Sequence, residues 1–287
     1  MRDELVGRIT ERIDSYSAGD PRPVIDPEAI REAMRLWHIR QVDADVLQLL
    51  SWLHWARYMS LPDPQRGWDG NVVAEYSLVL RYIDPDLVIE PVREAVATFR
   101  PSPGQTPQSL MKAAQDALQE IVTSGAYEPG RQFGRVLDVL HRACNAADDN
   151  PGLRAAALAN ISVALQQHYM HVGLEAYGDA AVQAIRSAVA TLPAGDQDRA
   201  IHLVTLCSVL LIRYERTNDR GDLDAAIQAG LDSIVIPSSR EILMAGLTNL
   251  QTALETRLAL TGDPAVRDTI SWVRRRLAEL PSADDGG

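Results

Sequence analysis

Apolar positions in the second half of the chain recur with a three-then-four spacing: Leu158, Ile161 and Leu165, then Leu203, Leu206 and Leu210, then Leu247, Leu250 and Leu254. That rhythm draws one buried stripe along an α-helix. The stripes are themselves periodic. The hexapeptide DAAVQA from Asp179 to Ala184 returns as DAAIQA from Asp224 to Ala229. Each unit closes on a proline, Pro193, Pro237 and Pro281, which cannot donate to the next turn and so ends the second helix of a pair. A two-helix period in the forties predicts a stacked array, because one pair cannot bury its stripe alone. The expected fold class is all-α, an α-solenoid of antiparallel helix pairs.

The first half is predicted helical with weaker periodicity. Residues 1–17 carry Leu5, Ile9 and Ile13 at helical spacing and stop before Pro21 and Pro23. Asp26 and Pro27 read as the N-cap and first position of the next helix, with Ile30, Met34, Trp37 and His38 on one face. The apolar run from Val46 to Tyr58 and the stretch from Val72 to Tyr82 form a further pair, and Pro91 opens a helix toward Phe99. Three prolines and a glycine in residues 101–107 predict a hinge. It separates an N-terminal lobe, residues 1–100, from residues 108–287, which hold a helix pair, three repeats and a capping helix. In that pair Leu110, Ala114, Leu118 and Ile121 are expected to face Phe133, Val136, Leu137 and Leu140.

Charge narrows the function classes. A net charge of −11, with Lys112 as the sole lysine, argues against nucleic acid or anionic lipid as a partner, since both require local basic excess. No apolar stretch has the length of a membrane span or a signal core, so a cytoplasmic location is expected. Cys144 and Cys207 are too few for a disulfide framework and read as buried free thiols.

The columns resemble the tetratricopeptide repeat, whose pattern is a leucine followed by a small residue on the first helix (here Ile161 and Ser162, Leu206 and Cys207, Leu250 and Gln251), a small residue on the second (Ala181, Ala226), and a closing proline. These units are longer than the usual thirty-four residues. In that longer form, with the runs from Arg213 to Asp219 and Arg257 to Asp263, they are similar to repeats of bacterial proteins that carry a caspase-like CHAT protease domain. The run from Leu50 to Tyr58, followed by Leu61 and Pro62, is similar to a degenerate unit of the same kind. Nothing after Gly287 provides such a protease, so the relatives' catalysis is not expected to transfer. The resemblance implies a concave face lined by the first helices. On this chain that face is Asn160, Thr205 and Asn249, then Val163, Ser208 and Thr252, then Gln166, Leu211 and Glu255. Their amides and hydroxyls suit an extended peptide.

Two functions from different classes follow. One is a non-catalytic scaffold or adaptor that binds a protein or peptide along that face, the partner being of the protease or signalling kind. The other is an enzyme or small-ligand-binding protein in which Trp37, Trp52 and Trp55 enclose a pocket and His38 or His54 handles protons. No cofactor, metal or catalytic motif is expected. His168, His171 and Glu175 share helical spacing but lack a fourth ligand, and His141 with Cys144 reads as core rather than as a nucleophile pair. Arg57, Arg213 and Arg257 form one column and read as repeat structure. Oligomeric state is not encoded in any of these patterns.

Overall fold

A computed structural model describes residues 1–39, 42–98, 100–124, 132–147 and 149–280. Every regular element among them is helical: α1 Arg2–Ser17, α2 Arg22–Ile25, α3 Pro27–His38, α4 Ala44–Ser60, α5 Gly67–Ile83, α6 Glu90–Ala97, α7 Pro107–Ser124, α8 Phe133–Ala146, α9 Pro151–Val172, α10 Glu175–Thr191, α11 Asp198–Thr217, α12 Arg220–Val235, α13 Arg240–Thr261 and α14 Pro264–Ala278, with a 3-10 turn at Pro85–Leu87. None of the described helices is long and apolar enough to cross a membrane. The chain divides into two compact units, Met1–Ala184 and Ile185–Gly287, the division falling within α10.

Start and stop signals are local chemistry. Asp26, Asp43 and Asn150 cap α3, α4 and α9 by accepting from the backbone N–H of Glu28, Val46 and Leu153. Asp219, Ser239 and Asp263 do the same for α12, α13 and α14. Helices α9, α11 and α13 each end in a left-handed residue, Gly173, Asn218 or Gly262, at φ of 75°, 55° and 66°. A residue type that tolerates positive φ thus marks the turn into the next helix in all three.

In the first unit α1 lies on α3 and α4, α4 on α5, α5 on α8, and α8 on both α7 and α9. Glu32 of α3 is buried, and Arg12 and Arg8 of α1 reach it at 2.7 and 3.4 Å. Residues 101–106 are non-helical and Pro107 opens α7, yet the whole segment lies inside this unit. Helices before and after it are joined directly: Tyr82 of α5 meets His141 of α8 at 2.8 Å, and His141 also meets the Val96 carbonyl of α6 at 2.9 Å. Leu110 and Ala114 are buried as expected and Leu118 is half-buried, while the side chain of Ile121 lies outside the described residues.

His141 is neutral by construction. Its Nε2 faces a carbonyl that can only accept, so Nε2 carries the hydrogen and Nδ1 accepts from the Tyr82 hydroxyl. Burial pushes its pKa down to about 4. Burial also lowers His168 and His202. An unfolded chain therefore binds protons at pH 5 to 6 that the folded chain refuses, and stability present above pH 6.5 is lost as the pH falls toward 4. Urea midpoints should drop between pH 7 and pH 4.5, and the drop should shrink in His141→Gln.

In the second unit α11 packs on α12 and α13, α12 on α13, and α13 on α14. Leu247, Leu250, Leu254, Ile270 and Val273 form one buried cluster, flanked by Leu243, Leu258 and Val266. Two of the three anticipated stripes are buried throughout: Leu158, Ile161, Leu165 and Leu247, Leu250, Leu254. The third needs correction. Leu206 is only half-buried, and the stripe of α11 runs through Leu203, Cys207, Leu210 and Tyr214. A four-then-three step shifts the stripe by one residue, about 100° around the helix, so the leucine moves to the flank and the small thiol takes the contact. Burial raises that thiol to about 12, which leaves it unreactive. Pro193 and Pro237 follow α10 and α12, whereas Pro281 lies outside the described residues.

At Arg57 and Arg213 the arginine column clasps the two helices of a pair. Arg213 of α11 forks onto the buried carboxylate of Asp222 in α12, its Nε at 2.7 Å. Arg57 of α4 reaches Asp69 of α5 at 3.1 Å. In the last repeat the position equivalent to Asp222 is Val266, and Arg257 turns back to Asp224 of α12 instead. In the α9–α10 pair the same two columns hold His168 and Tyr177, whose rings lie 4.3 Å apart. Tyr177 donates to Glu75 at 2.6 Å, and Phe133 stacks on His168 at 3.9 Å.

Candidate functional site

The clasp between α4 and α5 does more than hold helices. Leu50, His54 and Arg57 follow one another at four and three residues along α4, so they share the face turned to α5. His54 Nδ1 lies 2.6 Å from Oδ1 of Asp69, and Arg57 Nε reaches the same oxygen at 3.1 Å. A second Arg57 nitrogen donates to the Val24 carbonyl at 2.7 Å. All three groups are enclosed: the side chains of His54, Asp69 and Arg57 are 3%, 2% and 11% exposed. The Asp69 carboxylate draws the imidazole hydrogen to Nδ1. Nε2 is then the acceptor edge, and it has no hydrogen-bond partner among the described residues.

That edge is left to a cavity of about 350 Å³. Helix α3 supplies Ile30, Ala33, Met34, Trp37 and His38, α4 supplies Leu50 and His54, and α5 supplies Trp68 and Tyr76. The walls are organised by ring contacts. Trp37 stacks on Tyr76 at 5.9 Å and 20°, while Trp68 meets His54 edge-on at 5.1 Å and 80°. The aromatic rims are partly open: Trp37 is half-buried, and Trp68 and Met34 are exposed. No arginine, lysine, aspartate or glutamate is among the described lining residues. Such a concave apolar volume with one oriented polar group fits a small planar molecule.

Ile30, Met34, Trp37 and His38, the residues expected on one face of α3, all line this cavity, while Ala29, Glu32, Ala33 and Leu36 are the buried residues of that helix. Trp37 and His54 do meet at one cavity, as anticipated, but Trp52 and Trp55 do not join them. At 100° per residue they point away from His54, being two positions before it and one after. Trp55 stacks on Tyr58 at 5.8 Å and lines a separate cavity of about 370 Å³ with Gly70 and Val92, and Trp52 is half-buried outside both. Trp68 and Tyr76 were the residues missed. Their signal was spacing: Asp69 and Tyr76 lie seven apart on α5, which puts both on one face.

The expected concave-face residues have separate surroundings in the two units. Asn160 and Val163 of α9 line a groove of about 420 Å³ against α7, with Gln115, Gln119 and Gln167 adding amides. The Gln167 side-chain oxygen is buried there without a partner among the described residues. Gln166 is half-buried. In the second unit Thr205 and Thr252 bond back to the Ile201 and Thr248 carbonyls of their own helices. Asn249 donates to the Val204 carbonyl at 3.2 Å, tying α13 to α11. Glu255 accepts from Gln251 and Arg274, which hold its carboxyl below the usual range, and Ser208 is half-buried. His168, His171 and Glu175 are not brought together: His168 is buried against Phe133 and Tyr177, and the other two are exposed. Among the described residues no group of three side chains is arranged to hold a metal ion.

Comparison with protein-family models, curated proteins and solved structures finds no match to this chain.

Proposed function

We propose that the protein is a non-catalytic, TPR-like helical-repeat protein that takes a small planar ligand into the cavity between α3, α4 and α5. The observation that carries this reading is His54: a buried imidazole, fixed on one side by Asp69, whose other nitrogen is left without a partner at a wall of aromatic rings. Binding of 2-naphthol should quench tryptophan emission saturably. Trp37→Ala and Trp68→Ala should weaken it roughly ten-fold or more, since each removes a wall of the cavity. Trp272→Ala, in the other unit, should leave it unchanged. Absence of saturable binding, or equal binding by all three variants, ends this reading.

That outcome would favour a second reading, a scaffold that holds an extended peptide from a protease or signalling partner. Its support is the groove between α7 and α9, where Gln115, Gln119, Asn160 and Gln167 gather carboxamides that match a peptide's alternating N–H and C=O groups.

A further inference from the structure

Resting on the ligand-pocket reading above, we infer that the cavity selects a neutral planar aromatic that carries a hydrogen-bond donor, of which a phenolic hydroxyl is the best fit, and that His54 Nε2 is the acceptor for it.

Three observations carry the selection. The first is tautomer. Asp69 sits 2.6 Å from Nδ1 and also takes Arg57 at 3.1 Å, so the tautomer it favours carries its hydrogen on Nδ1 and presents Nε2 as an acceptor. A ligand reaching Nε2 must therefore bring the hydrogen itself. The second is the lining. With no arginine, lysine or carboxylate among the described lining residues, a cation finds no counter-charge and an anion meets only the exposed imidazole of His38, so desolvating either would cost more than the rings return. The third is Tyr76. Burial raises its pKa well above the ordinary value, so the hydroxyl remains a donor, and it has no hydrogen-bond partner among the described residues. A phenolic oxygen that donates to Nε2 keeps lone pairs for such a donor. The walls set the rest: a stacked Trp37–Tyr76 pair and an edge-on Trp68 favour flat rings over branched aliphatics.

Isothermal titration of the full chain with four probes separates the possibilities. We expect 2-naphthol to bind roughly ten-fold or more tightly than naphthalene, because only the naphthol can donate to Nε2. Tetramethylammonium and 2-naphthoate should bind more weakly than 2-naphthol. In His54→Phe the advantage of naphthol over naphthalene should collapse, while naphthalene itself is retained and Asp69 keeps Arg57. Should that variant not fold, nitrogen NMR on the wild-type chain decides: the His54 Nε2 resonance should move on adding 2-naphthol and stay in place on adding naphthalene. Equal affinity for naphthol and naphthalene, or tightest binding by the anion or the cation, overturns the donor inference while leaving the pocket reading intact. Failure of every probe overturns the pocket reading itself.

Discussion

Asp69→Ala is expected to lower the free energy of unfolding by roughly 3–5 kcal/mol, the range found when one member of a buried ion pair is removed. The size follows from what is left behind. Arg57 is 11% exposed and would lose its carboxylate while keeping only the Val24 carbonyl. His54 would lose the partner of Nδ1. Neither can swing to water from between α4 and α5. Asp69→Asn should cost less, because its oxygen can still accept one of the two bonds. Urea unfolding followed by circular dichroism measures both, and a loss below about 1 kcal/mol for the alanine variant would show that the trio does not hold the helices together.

Arg213→Ala should produce the second large effect, roughly 3 kcal/mol, for the same reason: Asp222 is buried and would be stranded. The repeat supplies its own control. Arg257 occupies the same column, but it is 33% exposed and its partner Asp224 is 55% exposed. Water replaces what that pair loses, so Arg257→Ala should cost no more than about 1 kcal/mol. Equal losses at the two positions would mean that burial does not set the difference.

The helices were legible because capping chemistry and apolar spacing are local properties. Asp26 with Pro27 starts a helix where the sequence places it. The arginine column was legible as a column, but its bonds were not: Arg213 holds Asp222, while Arg257 turns to Asp224. What spacing cannot reveal is the choice between neighbouring positions on a helix face. It assigned α11 to Leu206 where Cys207 is the buried residue. The cavity was half legible for a related reason. Trp37 and His54 belong to different helices, and only the packing of α3 on its neighbours decides that Trp68 and Tyr76, rather than Trp52 and Trp55, complete the enclosure.

One consequence follows from Asp69 serving both as a bolt between helices and as the backing of an imidazole. Under the ligand reading proposed above, a substitution at Asp69 would loosen the helix packing and the imidazole together, so loss of binding there could not be told from loss of folding. Clean separation of the two roles is confined to the far edge of the His54 ring. Lineages that altered what the cavity accepts would have to do so by exchanging its walls, leaving the anchor untouched.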